Sequence, residues 1–456
     1  MTARISRLQI GAFVLPRLAF GLASAPFFYV LPTYYAQHTT ASLAALGSTL
    51  VFTRLFDAVI DPVIGFLSDN TRTRWGARKP WVMAASLLLG IAIFFVFQPS
   101  PDDGIGFFLL WSTMFYLAWS LFDIPGDAWL AEVTGDYKQR STISGLQGLA
   151  LQAGGFTFFA MSATGLFDTG MSPALMAAIG WTTLIAIPLT AFLACALVPA
   201  GVPIVVTRRT SPRALFSALK GNGPLQIYLS SQLFGGLGGG IYLGTQLLLL
   251  DVYFQQGANF GLIFLIYQAA HFLAMPVWLR IVHRFGKHRS WAISWSISAA
   301  MAPLPVLFVT PGPDAFWYLA GFAIARSFVA GADMIVPRAL MADAVDYGTL
   351  KTGANSAGSY FALASLAVSI CAAVSSGVAF WLLDGFGFNP KPGAVNAPSA
   401  MNGLLFTAIV LPTLFNITAA LLIWRFPIDA RRAGIIRRRI ETRPAAAPGA
   451  TVFVSA

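Results

Sequence analysis

Apolar runs long enough to cross a bilayer recur from one end of this chain to the other. That recurrence fixes the class of fold before anything else is considered. A membrane-crossing helix needs about 20 consecutive apolar residues. Polar, glycine and proline breaks divide the 456 residues into twelve such runs, at about 9–36, 42–68, 80–98, 105–131, 142–167, 173–199, 225–250, 259–282, 290–310, 315–345, 355–384 and 401–425. The chain therefore reads as an all-α polytopic membrane protein. Only 10% of its residues are charged, against about 25% in an average soluble domain. This excludes a soluble enzyme, a disordered chain and a soluble head on one anchor. The break at 200–224 separates six runs from six. It gives an N-terminal six-helix bundle over 1–199, a cytoplasmic linker over 200–224, a C-terminal bundle over 225–425 and a basic tail over 426–456, disordered beyond about Arg443.

Arg4 and Arg7 precede the first run, and Ala23-Ser24-Ala25 inside it outlines a signal-peptide cleavage site. Arg17 interrupts the apolar core, however, and the run continues to about Tyr35, so it reads as a retained first span. The net charge of +11 would point to nucleic acid in a soluble domain. Here its distribution gives orientation instead. Arg17, Arg54, Arg326 and Arg338 lie inside spans; of the other 25 basic residues, 24 fall on one side and only Lys391 on the other. Lys and Arg concentrate in cytoplasmic loops. Both termini are therefore expected in the cytoplasm, in a multi-pass protein of the plasma (inner) membrane, with no nucleic-acid partner. A monomer in the lipid bilayer is the expected state.

An internal repeat is visible at an offset of 210 residues. It relates Arg74-Trp75-Gly76 to Arg284-Phe285-Gly286, Asp123 to Asp333, and Asp136-Tyr137 to Asp346-Tyr347. Each half is thus a copy of the other in the same orientation. Parallel repeats of this kind place a substrate cavity between the halves near the midplane.

Ionisable groups inside a span are costly, at about 2.5–3.5 kcal/mol each on insertion scales, so they face a cavity, pair or work. The second span carries Arg54, Asp57 and Asp61 at i, i+3, i+7, one helical face. The fourth carries Tyr116, Ser120, Asp123 and Asp127 on one stripe. Asp57, Asp61, Asp123 and the Ser120 hydroxyl make an oxygen cage for Na+, or a set of crowded acids that shares a proton. One arginine cannot balance four acids, so a purely structural Arg54–Asp57 pair is the weaker reading. Arg17 either anchors an anionic or hydroxylated substrate or pairs with Asp123 or Asp127. Tyr116 and Trp129, near Asp123, are candidates to stack on a sugar face. In the tenth span Arg326 and Arg338 balance Asp333 and Asp343, which reads as structural pairing.

The loop from Gly65 to Pro80 combines Asp69 with Arg72, Arg74 and Arg78. Asp69 at a helix end can bond free backbone groups or the arginines of a neighbouring helix, so the cluster reads as a cytoplasmic gate. Asp136 and Tyr137, at the same end of the fourth span, join it. No phosphate-binding Walker loop, nucleophile elbow or zinc-binding HExxH helix occurs. Cys195 and Cys371 lie in apolar runs and form no framework. No enzyme and no cofactor are expected, only Na+ or H+ as coupling ion.

The segments Phe52-Thr53-Arg54-Leu55-Phe56-Asp57-Ala58-Val59-Ile60-Asp61-Pro62-Val63-Ile64-Gly65 and Thr71-Arg72-Thr73-Arg74-Trp75-Gly76-Ala77-Arg78-Lys79-Pro80-Trp81, with Asp123-Ile124-Pro125 and Asp346-Tyr347, resemble the glycoside–pentoside–hexuronide:cation symporters. These are the melibiose-permease branch of the major facilitator superfamily, and the resemblance covers the whole membrane region. It implies the major facilitator fold and cation-coupled sugar transport by alternating access. It implies a cation site at Asp57, Asp61 and Ser120, with Asp123 contacting sugar hydroxyls. The family's aspartate early in the first helix is replaced within Leu15-Pro16-Arg17-Leu18-Ala19, its fifth-helix arginine falls at Gln147 or Gly148, and its eleventh-helix lysine falls near Ser369. The expected solute is a sugar or glycoside beside Arg17, Asp123, Asp127 and Gln147. The alternative is an exporter of an amphiphilic or drug-like solute on the same fold.

Overall fold

The structure is a computed structural model that describes residues 5–134, 136–167, 172–201, 219, 221–352 and 357–442. The described residues form helices and no strand. Twelve rods follow in order. They are α1 (Arg7–Tyr29, continued by Leu31–His38), α2 (Leu43–Asn70), α3 (Lys79–Val96), α4 (Ile105–Val133), α5 (Tyr137–Ala163) and α6 (Pro173–Leu197). Then come α7 (Gly223–Leu248), α8 (Phe260–Phe285), α9 (Lys287–Met301), α10 (Ala315–Ala330 and Val336–Thr352), α11 (Ala357–Gly385) and α12 (Pro398–Leu405 with Leu411–Trp424). Ten are long and apolar enough to cross a membrane. The other two, α2 and α5, are full-length rods of 28 and 27 residues packed among them. Along α6, Trp181, Ile185, Leu189 and Phe192 form a stripe at least half exposed, which a bilayer would cover.

Local chemistry starts these helices. Ser6 and Gln9 close a capping box at α1, and the Ser42, Ser172 and Asn222 side chains accept from the first-turn amides of α2, α6 and α7. The expected continuous first span breaks at Val30, downstream of Pro26. The tenth is interrupted by a tight turn at Gly331–Met334. The linker falls almost wholly outside the described residues, as does the tail beyond Thr442. The start of the tail is an amphipathic helix, α13 (Ala430–Glu441), capped by Asp429.

The duplication appears in the packing. α1 packs on α5 and α6, α2 on α4, and α3 on α6. Six helices later α7 packs on α11 and α12, α8 on α10, and α9 on α12. Small residues let the backbones meet. A Cβ on Gly21 would strike the Leu151 carbonyl oxygen, and one on Gly154 would strike the Leu18 carbonyl oxygen. Gly21→Ala is therefore expected to lower stability by about 1–3 kcal/mol, because backbone cannot move aside as a side chain can. A lower melting temperature of the detergent-purified variant checks this.

The halves meet through α2 against α11 and α5 against α8, pairings that the repeat interchanges. The named contacts cluster at the end away from the basic loops. Trp381 Nε1 donates to the Ala44 carbonyl (3.1 Å) and Ser48 Oγ (3.0 Å). The Ala44 amide donates to Asp384 (3.3 Å), and Gln37 donates to Asp251 (2.7 Å). Phe159 stacks on Phe264 at 5.3 Å. On the basic side, a cavity of about 430 Å³ runs from Arg17 to Arg140.

Candidate functional site

The two acidic stripes face each other. Ser120 Oγ on α4 donates to Asp57 Oδ1 on α2 at 2.8 Å. Arg54 Nη1 stands 4.0 Å from Asp57 Oδ2. Its guanidinium lies over Tyr116 (4.6 Å) and Phe28 (5.1 Å), which shields it and weakens its claim on the carboxylate. Asp61 Oδ1 is buried without a hydrogen-bond partner among the described residues. A buried carboxylate oxygen in that state is unfavourable until a proton or a cation satisfies it. Pro62 and Pro125 sit inside α2 and α4. Each removes an amide and so frees the carbonyl one turn before it, a further oxygen near the acids.

Asp123 does not complete a three-carboxylate cage. It is hydrogen-bonded by Arg17 Nη1, while Arg17 Nη2 donates to Asp127 Oδ1 at 2.8 Å. One guanidinium thus clamps both acids of α4, so both halves of the sequence alternative that Arg17 pairs are realised. Among the described residues no three His, Cys, Asp or Glu side chains converge as a metal site. Asp57, Asp61 and Ser120 stand outside the Arg17 clamp. Asp127 keeps 65% of its side chain exposed. It lines the 430 Å³ cavity with Arg17, Ser144 and Gln147.

A second cavity, of about 260 Å³, lies between the halves, with Phe28, Arg54 and Tyr116 on one wall and Gln232, Ser375 and Ser376 on the other. Gly236 and Gly240 of α7 line it, and a Cβ on Gly236 would meet Cys371 at 2.9 Å. Next to it a third cavity of about 220 Å³ is lined by Tyr242, Gln246, Arg326, Asp333 and Asn416.

Trp129 is removed from these walls. It is 1% exposed, sits edge-on to Phe13 at 4.9 Å and donates to the Pro199 carbonyl at 2.8 Å. It is a packing residue of the basic end, not a stacking platform. The expected pairing within the tenth span is also corrected. Asp343 accepts from Lys287 of α9 at 2.7 Å, and Asp333 accepts from Trp291 Nε1 at 2.5 Å. Arg326 lies over Tyr242 at 4.1 Å. Neither Arg326 nor Arg338 has a carboxylate within 4.0 Å among the described residues.

The loop cluster is tightly built but stays within one half. Arg78 donates from Nε to Glu132 (2.8 Å), from Nη1 to Ser68 (2.9 Å) and from Nη2 to Asp69 (2.7 Å). Asp69, at the end of α2, thus meets the arginine that caps the next helix, α3, and Glu132, at the end of α4, adds a second cross-helix contact. Arg72 is exposed, and Arg74 folds over Trp75 at 5.0 Å. Asp136 caps α5, accepting from the Lys138 amide at 2.9 Å. The side chain of Tyr137 lies outside the described residues. Its repeat partner diverges: Asp346 is inside α10 and pairs with Arg437 of α13 at 3.2 Å.

Twelve rods in two repeated halves, with acids facing each other on α2 and α4 and a cavity between the halves, form a transporter's frame. The family described as MFS/sugar transport protein matches residues 12–430. The chain belongs to that family. It is 23% identical to a glucuronide carrier protein homolog of Escherichia coli (strain K12), over 97% of each chain. It is 23% identical to a lactose permease of Leuconostoc lactis, over 92% of this chain and 70% of that one. Among solved structures, the nucleoside transporter NupG superposes with a TM-score of 0.66 at 13% identity, covering 92% of this chain and all of that one. This transporter is therefore an integral membrane protein of the major facilitator fold. Its Arg326, Tyr242, Gln246 and Asn416 escaped the sequence reading as site residues. Arg326 was visible as a charge in a span, but its acids were assigned to it on spacing alone. Tyr242 and Gln246 gave no signal.

Proposed function

We propose that this transporter couples Na+ or H+ to the movement of a sugar- or glycoside-like solute by alternating access. The observation that carries the reading is the unpartnered Asp61 Oδ1 beside the Ser120-bound Asp57. A buried carboxylate oxygen with no protein donor is one that a cation or proton stabilises. Asp57, Asp61 and Ser120 form the cation site. Arg17, Asp123, Asp127 and Gln147 offer the donors and acceptors that sugar hydroxyls require, and Tyr116 and Arg54 border the passage between the halves. Gln232, Ser375 and Ser376 form the facing wall, and Arg326, Tyr242, Gln246 and Asn416 line the adjoining cavity. Support for a sugar comes from relatives named for a glucuronide and for lactose.

The basic side is cytoplasmic by the distribution of Lys and Arg, in a bacterial-type inner membrane. On that reading the structure is the inward-open state: sealed outside by Trp381, Asp384, Ala44 and Gln37, open inside past Asp127 and Arg140. Cation and solute enter from the other state, and the halves rock about a site between them. Purified protein in liposomes should accumulate a glycoside above its external concentration under an inward Na+ or proton gradient. A panel of glucuronides, galactosides, pentosides and lysolipids under each gradient separately identifies the ion. Uptake of lysolipid with no response to any sugar would overturn the reading.

A further inference from the structure

A cavity of about 780 Å³ lies on the outer face between α3 and α6 at the basic end, away from the central passage. Near the middle of the pair, α3 and α6 touch through small residues: a Cβ on Gly90 would come within 3.2 Å of the Leu184 carbonyl oxygen. Further toward the opposite end, one on Gly180 would come within 3.1 Å of Gln98. Toward the basic end the pair stays in touch through Lys79 and Cys195, and Met83 and Leu87 of α3 with Phe192 of α6 line the groove beside that contact. Leu87 and Phe192 are more than half exposed. The groove thus opens to the hydrocarbon that surrounds this part of the protein.

Two cations stand at its mouth, Arg74 and Lys79. The turn between them passes through Gly76 at φ +102°, packed against Ala200, and brings both to the same groove. Lys79 donates one proton to the Cys195 carbonyl at 2.7 Å, and Arg74 rests over Trp75. Neither has a carboxylate within 4.0 Å among the described residues. Their neighbour Arg78 differs, since it turns inward to Glu132 and Asp69. An apolar groove along two membrane helices, with an interfacial tryptophan and two unneutralised cations at headgroup level, matches one chemistry.

We propose that this groove is a binding site for an anionic phospholipid, its phosphate between Arg74 and Lys79 and an acyl chain along Met83, Leu87 and Phe192. Each basic residue near a membrane surface adds attraction for an anionic headgroup, and basic pockets between helices on this side hold such lipids. The apolar walls bury the chain. The lipid would lie against the loop that carries the Arg78 cluster.

Native mass spectrometry of the purified full-length protein with added phosphatidylglycerol or phosphatidylcholine tests this. Phosphatidylglycerol adducts should survive about tenfold better than phosphatidylcholine adducts. The Arg74→Gln, Lys79→Gln double variant should reduce phosphatidylglycerol retention to the phosphatidylcholine level. Ala84→Trp, which fills the groove without touching either cation, should displace the same adduct. Arg438→Gln, Arg439→Gln on α13 should leave it in place. Equal retention of the two lipids by the unaltered protein would overturn the proposal. So would phosphatidylglycerol retention that persists in both groove variants, or that is lost only in the α13 variant.

Discussion

Replacing Asp57 or Asp61 with asparagine is expected to abolish gradient-driven accumulation while the fold and solute equilibration survive. The amide keeps the size of the carboxylate but not its charge. An ion that contributes no binding energy cannot be linked to solute movement, so the internal concentration should rise only to the external one. The structure sharpens this beyond the sequence argument. Asp57 has a protein donor in Ser120 and a distant arginine at 4.0 Å, whereas Asp61 Oδ1 has no partner among the described residues. Ser120→Ala should therefore be milder. Losing one hydrogen bond of about 1 kcal/mol lowers apparent cation affinity about fivefold. The measurement is uptake and counterflow in proteoliposomes, with and without the gradient. Accumulation that persists in both aspartate variants would remove the cation site from this location.

Arg78→Ala is expected to be the most destabilising single change outside the helix packing. Arg78 and Glu132 are 7% and 3% exposed on their side chains, and removing the guanidinium leaves Glu132 buried with no cation. Breaking such a pair from one side costs about 3–5 kcal/mol. Glu132→Gln keeps an acceptor for Arg78 and should cost less. Asp69 is 56% exposed, so Asp69→Asn should be nearly neutral. The order of melting temperatures, Asp69→Asn above Glu132→Gln above Arg78→Ala, is the check. This ranking also separates two roles for the loop. Ser68, Asp69, Arg78 and Glu132 all belong to the N-terminal half, so the cluster travels as one body when the halves rock. An Arg78→Ala variant with unaltered stability but altered transport rate would favour the gating role over the structural one.

Much of the fold was legible because it is written in one dimension. A bilayer imposes the same length on each apolar run, so twelve runs are countable from the chain alone. The offset of 210 residues between Asp123 and Asp333 anticipated the packing of α7–α12, which repeats that of α1–α6. The acids of α2 and α4 were visible because a charge inside an apolar run is costly wherever it ends up. The Asp57–Ser120 contact followed from the resemblance and the stripe together. The pairing of Arg326 and Arg338 with Asp333 and Asp343 was misread for a plain reason. Spacing along a helix says which side chains share a face, but not what a neighbouring helix brings to that face. Lys287 on α9 took Asp343 and Trp291 took Asp333, so Arg326 was left over the ring of Tyr242.

The sequence by itself determined the class, the span count, the duplication and which membrane-buried charges needed an explanation, because hydrophobic length and the penalty for burying charge are properties of short segments. Tertiary structure alone decided which charge answers which. Arg17 closes on Asp123 and Asp127 across 106 and 110 residues of chain, Trp129 turns away to Pro199, and Asp61 keeps an oxygen unmet. Those outcomes depend on distances of a few ångströms between helices, set by where glycines let backbones touch, and no local pattern encodes such a distance.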